Sequence, residues 1–186
     1  MTEIVERRFA DLQTEITGRK LGGYAAVFDQ VADIGPGLYL ERLAPTMFRS
    51  ALAAPDLDVV GLLNHDMNML LARTPDTLRL STDSHGLQFE LDLPDTSYAN
   101  DVRTLVDSGL IRKCSFSFIP GEQVRSMHEG RQLITRTSAK RLIDVSVVTM
   151  PAYQGTDVSL RSQPEAVGLR SQLIRIRSRV RLPKGN

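Results

Sequence analysis

Apolar and polar residues alternate with a period of two along much of this chain, and that spacing predicts β-strands. Lys20 to Phe28 reads as a first strand, loosened at its start by Gly22 and Gly23, and Leu38 to Leu43 as a short second one. Val59 to Asn64 is a nearly continuous apolar run of strand length with His65 at its end. Thr77 to Leu93 is the clearest hairpin. Leu78 and Leu80, then Leu87, Phe89, Leu91 and Leu93, alternate with polar residues on either side of the turn Asp83-Ser84-His85-Gly86. Leu110 to Ile119, Arg131 to Thr137 and Arg141 to Met150 make three later strands, the first closed by Pro120-Gly121 and the last by Pro151.

Two segments follow a helical period instead. Pro45 to Ala53 predicts a short helix, with proline in its first turn, Phe48 and Leu52 on one face, and Pro55 as its stop. Ser97 to Ser108 predicts the better helix. Val102, Leu105 and Val106 share a face, Ser97 can cap the start and Gly109 the end. Many strands and one good helix predict a β-rich α+β fold, a closed β-barrel with peripheral helices. The pattern fades beyond about Asp157, which divides the chain into a domain over 1–160 and a linker with a basic tail over 161–186.

Composition narrows the class without naming a function. With 186 residues the chain can bury a sizeable core, and 41% hydrophobic with 24% charged residues is ordinary for a globular protein. No apolar run is long enough to span a membrane. The acidic start, Met1 to Glu6, has no apolar signal core. A single cysteine excludes an intramolecular disulfide, and a net charge of +1 gives no case for a nucleic-acid role. Charge is uneven at one end only: Arg175, Arg177, Arg179, Arg181 and Lys184 follow Ser171 without an acid. Such a tail fits targeting to an acidic partner, removal by self-cleavage, pairing with another chain, or a solvated end.

Three apolar segments each carry a chemically able side chain: His65 after Leu62-Leu63-Asn64, Ser115 within Cys114 to Phe118, and Asp144 within Leu142 to Val148. His, Ser and Asp are the set that makes a hydroxyl nucleophilic near neutral pH, since the hydroxyl needs a base and the base needs a partner to fix its tautomer. Each has a plainer reading. Ser115 and Ser117 share a strand face opposite Cys114, Phe116 and Phe118, and that face can simply meet solvent. His65 fits a turn residue bonded to local backbone. Asp144 shares a face with Leu142 and Ser146, opposite Ile143, Val145 and Val147; it faces solvent or has a partner, because a buried lone carboxylate is costly. Cys114 reads as core, and His85 and His128 as surface. There is no paired-cysteine, HExxH, GxGxxG or Walker pattern, so no metal or cofactor is expected.

Taken in order, several segments resemble the prohead maturation serine proteases of tailed bacteriophages. They are Gly23-Tyr24-Ala25-Ala26-Val27-Phe28, Glu41-Arg42-Leu43-Ala44-Pro45 with Phe48, Leu63-Asn64-His65-Asp66, Leu93 to Tyr98, Ser115-Phe116-Ser117-Phe118, and Asp144 to Ala152. The family is similar in fold to herpesvirus assemblin, which implies a β-barrel ringed by helices. The resemblance assigns Ser115 as nucleophile, His65 as general base and Asp144 as the acidic third member, with Asp66 a rival for that role. Two positions depart from the pattern. Ser117 stands where a small, Gly-like residue is frequent, and Asp144 where Glu is frequent, one methylene longer. Oxyanion donors are expected in the segment Val148 to Tyr153.

The resemblance also implies a biology. Such an endopeptidase sits inside the immature phage capsid in the host cytoplasm. It cleaves the scaffold protein, or a scaffold-like arm of the major capsid protein, and itself. A homodimer is implied too. Two other readings compete. One is a catalytically inactive capsid-assembly module on the same fold. The other is a small-substrate esterase, which lacks support because no Gly-x-Ser-x-Gly elbow surrounds Ser115.

Overall fold

A computed structural model describes residues 4–11, 15–34 and 37–149. In chain order the elements are β1 (Glu6–Asp11), β2 (Glu15–Thr17), β3 (Lys20–Val27), β4 (Ala32–Ile34), β5 (Tyr39–Leu43), α1 (Arg49–Leu52), β6 (Val60–Leu63) and β7 (Asp66–Arg73). Then come β8 (Leu78–Thr82), β9 (Gly86–Asp92), α2 (Ser97–Asp107), β10 (Lys113–Pro120), β11 (Gln123–His128), β12 (Arg131–Arg136) and β13 (Ala139–Val148).

The strands form three sheets, ordered β1-β10-β13-β6-β7, β11-β12-β5-β4 and β2-β3-β9-β8. This corrects the expected closed barrel. Closure gives every strand two hydrogen-bonded neighbours. Here each sheet ends in two strands with a neighbour on one side only, and β1 does not pair with β7. Side-chain alternation reports which residues face a core, and it is the same for a closed ladder and for separate sheets around one core. The peripheral helices are also fewer and smaller than a helix-ringed barrel needs. Among the described residues there are two, and α1 is a single turn.

One apolar cluster joins the sheets. Phe116 and Phe118 of β10 belong to it with Leu21 of β3, Leu87 and Leu91 of β9, Phe48 beside α1, and Val102 of α2, all fully buried or nearly so. Phe48 lies edge-on to Phe116 at 5.3 Å between ring centres, and Phe118 follows at 5.4 Å from Phe116. Each such side chain contributes about 1.5–3 kcal/mol of burial. Helix α2 starts at Thr96, whose side chain accepts a hydrogen bond from the Ala99 N–H, one residue before the cap expected at Ser97. The β8–β9 hairpin turns where expected, and Gly86 is required there: a Cβ would stand 1.9 Å from the Ala26 carbonyl oxygen.

Two features of the five-stranded sheet set up the site. In β13, Ser117 opposes Asp144 and Phe118 opposes Leu142, so Ile143 is an extra residue. That bulge turns Leu142 into the core. Leu142 therefore does not share a face with Asp144, as strict alternation predicted. The second feature is the link from β6 to β7. Leu63 pairs with Asp66, leaving Asn64 and His65 as a two-residue turn with φ of 54° and 58°.

Candidate active site

Ser115 and Ser117 lie on the β10 face opposite the aromatic core, as alternation predicted. That face is not a solvent face. Both serines are buried, and so are Asp144 and Ser146 on neighbouring β13. Cross-strand register sets Ser115 opposite Ser146 and Ser117 opposite Asp144. Ser115 and Asp144 are thus diagonal neighbours, with Cβ atoms up to roughly 7–8 Å apart. An imidazole with a hydrogen bond at each nitrogen spans about that distance.

His65 fills it. Its Nε2 is 2.7 Å from Ser115 Oγ, and its Nδ1 is 2.6 Å from Asp144 Oδ1. An ionised carboxylate only accepts, so Nδ1 carries the proton and donates it to Asp144. Nε2 then accepts from the Ser115 hydroxyl. The side chain reaches this position because the β6–β7 turn is tight. Both central residues take positive φ, which Asn and His tolerate better than most residues. Parallel pairing of β6 with β13 continues into the turn, where Asn64 N–H donates to the Val147 carbonyl at 2.9 Å. Asn64 Oδ1 accepts from the Thr149 N–H at 2.9 Å and its hydroxyl at 3.2 Å, which fastens the turn to the end of β13.

Burial pushes the Asp144 carboxyl toward a higher pKa. Hydrogen bonds from His65, Ser117 and Ser146, with the His65 charge, outweigh it and hold the group below its ordinary value. Asp66, the rival for the third role, is turned away: its Oδ1 accepts from the N–H and the side-chain amide of Asn68, both at 2.9 Å.

Residues to which the sequence reading gave no role complete the site. Phe9 of β1 packs edge-on to the His65 ring at 6.4 Å. Arg7, also of β1, donates from Nε to Ser117 Oγ at 3.2 Å. Ser146 donates to Asp144 Oδ1 at 2.6 Å. The sequence around Arg7 and Phe9 is too charged to read as a strand, and only the apolar gap at Phe9 and Ala10 hints at one.

Other candidates take plainer places. Cys114 is fully buried in the core and burial pushes its thiol pKa up. His85 lies against Tyr24 in the exposed hairpin turn, and His128 ends exposed β11. Among the described residues no group of three His, Cys, Asp or Glu side chains is arranged to hold a metal ion, and no helix is long and apolar enough to cross a membrane. Of the segment expected to hold oxyanion donors, Val148 and Thr149 are described, and the Thr149 N–H is already donated to Asn64. The remainder of that segment, the domain limit at 160 and the basic tail lie outside the described residues.

A Ser–His–Asp hydrogen-bonded chain on the face of a β-sheet is the arrangement of serine hydrolases. The family profile described as Caudovirus prohead serine protease matches residues 6–168, and the chain belongs to that family. Among solved structures it is similar to the bacteriophage T4 capsid assembly protease, gp21, at a TM-score of 0.56 and 9% identity over 78% of this chain and 97% of that one. At that identity the likeness is one of fold. No curated protein sequence matches.

Proposed function

We propose that the chain is an active serine endopeptidase of capsid maturation, with Ser115 as nucleophile, His65 as general base and Asp144 as the residue that orients and charges-balances His65. The observation that carries this reading is the unbroken chain of short hydrogen bonds from Ser115 through His65 to Asp144. His65 Nε2 takes the Ser115 proton as Oγ attacks a peptide carbonyl carbon. The tetrahedral intermediate collapses to an acyl-enzyme as His65 gives that proton to the leaving amine. Water, deprotonated in turn by His65, releases the acyl group and restores Ser115. Asp144 stays ionised throughout and stabilises the imidazolium.

Membership of the prohead protease family supports a capsid-associated substrate: the scaffold protein or a scaffold-like arm of the major capsid protein, cut inside the immature capsid. Self-cleavage belongs to the same proposal. Co-assembly would set the timing, because confinement raises the local substrate concentration without new contacts.

Intact mass of the purified chain, alone and co-assembled with capsid or scaffold protein, tests this beside Ser115→Ala. Triad loss lowers turnover on the order of 10³–10⁶-fold. Fragments from wild type and none from Ser115→Ala are expected. Identical fragments from both would assign the cleavage to another enzyme, and no cleavage in either would favour the non-catalytic assembly module.

A further inference from the structure

Four small polar side chains form a square on two neighbouring strands. His65 covers one diagonal, Ser115 to Asp144. Ser117 and Ser146 occupy the other corners, and their hydroxyls differ in what they hold. Ser117 Oγ accepts from Arg7 Nε at 3.2 Å, lies 3.3 Å from His65 Nδ1 and hydrogen-bonds Asp144, so it is shared between the site and β1. Ser146, fully buried, bonds within the site alone among the described residues. It donates to Asp144 Oδ1 at 2.6 Å, and its Oγ lies 3.2 Å from His65 Nδ1. The oxygen that receives the Ser146 hydroxyl is the one that receives the His65 Nδ1–H at 2.6 Å. These three atoms close a triangle.

A carboxylate held by one donor turns about its χ2 bond, since that torsion has a broad well. A second donor on the same oxygen, fixed by a strand backbone, narrows that freedom beyond what His65 and the Arg7-shared Ser117 hydroxyl impose. We infer that Ser146 is a positioning residue of the proposed protease site: it sets the rotation of the Asp144 carboxylate and, through it, the angle at which His65 presents Nε2 to Ser115. The inference rests on the protease reading for its catalytic meaning, while the geometry stands by itself. It also fixes a sign. Removing a donor from Asp144 concentrates negative charge on the oxygen that faces Nδ1, which favours the protonated imidazole. The groups facing His65 are Asp144 and Ser146 from β13, Ser115 and Ser117 from β10 and the Phe9 ring from β1, with Arg7 acting through Ser117 and Asp66 bound to Asn68.

The test is an NMR titration of the His65 imidazole in the full chain. It is made in a Ser115→Ala background to prevent self-cleavage, with the signal assigned against His65→Gln. Ser146→Ala should raise the His65 midpoint above that of its Ser115→Ala parent. It should also speed exchange of the Nδ1 proton. The near-isosteric pair Ser146→Thr and Ser146→Val separates hydroxyl from shape: Thr should keep the wild-type midpoint and Val should follow Ala, which decides the matter even if the Ala variant fails to fold. With Ser115 restored, Ser146→Ala should lower kcat/KM on the order of 10²-fold, as loss of alignment does. An unchanged midpoint in Ala and Val overturns the inference, even where wild type proves an active protease. A shifted midpoint in a chain without turnover supports the positioning role and removes the protease reading instead.

Discussion

Asp144 and Asp66 illustrate how far single residues can be read. Both are carboxylates the sequence offers as partners of His65, Asp66 next to it and Asp144 79 residues further on. The proposed role goes to Asp144, whose Oδ1 meets His65 Nδ1 at 2.6 Å, while Asp66 bonds to Asn68. Asp144→Asn keeps the shape and removes the charge, and an amide can hold His65 in the wrong tautomer. The expected loss in kcat/KM is on the order of 10⁴-fold. Asp66→Asn should leave kcat/KM within a few-fold of wild type. Peptide turnover by the two variants, measured side by side, checks this. A larger loss from Asp66→Asn than from Asp144→Asn would reverse the proposed roles. His65, Ser115 and Asp144 could be picked out because each interrupts an apolar run. Burial of the serine face could not, since an outward strand face and a face covered by a neighbouring turn have the same alternation.

The elements that escaped sequence reading failed for local reasons. Strand β1, Glu-Arg-Arg-Phe-Ala-Asp, has an inward arginine, and its alternation is masked because Arg8 takes the place of an apolar residue. Strand β7 has Met67, Asn68 and Met69 set between the paired residues Asp66 and Leu70, so its period is broken. The β6–β7 turn carries Asn followed by His rather than by Gly, which hides an ordinary hairpin signal. That turn makes a sharp test of how an element aims a side chain. Asn64 takes φ of 54° and bonds twice to Thr149. Asn64→Ala loses both bonds and places a poorly suited residue in a left-handed conformation, at about 1–3 kcal/mol. Asn64→Gly loses the bonds and keeps the conformation. Thermal unfolding should rank wild type highest, Gly next and Ala last, and peptide turnover should fall in the same order. Equal unfolding temperatures for Gly and Ala would mean that the backbone conformation does not hold the turn.

Across the whole molecule, a buried charge network ties the sheet that bears the site to a second sheet. Arg8 of β1 donates to both Glu41 oxygens and, at 2.6 Å, to Glu6. Arg136 of β12 donates to Glu41 at 2.7 Å, to Glu6 at 2.8 Å and to Gln123 at 2.6 Å. Two arginines thus balance two glutamates, and the strand they anchor is the one that brings Phe9 and Arg7 to the site. Burial pushes the Glu41 carboxyl up, yet hydrogen bonds and charge from Arg8 and Arg136 outweigh it and hold it below the ordinary range. A carboxyl held lower in the folded than in the unfolded chain stabilises the fold fully at neutral pH. That contribution declines as pH falls through the ordinary glutamate value, near 4.5, and is gone below the folded value. Glu41→Gln leaves two buried guanidinium groups with one carboxylate between them and should cost about 3–5 kcal/mol near pH 7. For a chain of this size that lowers the unfolding temperature by roughly 10 °C. Calorimetry from pH 7 to pH 3 then gives the second half of the argument. Wild type should lose stability steeply below about pH 5, while Glu41→Gln starts lower and falls less, its remaining slope owed to Asp144 and the other carboxyls. Parallel slopes would place the acid sensitivity elsewhere and reduce Glu41 to a packing residue.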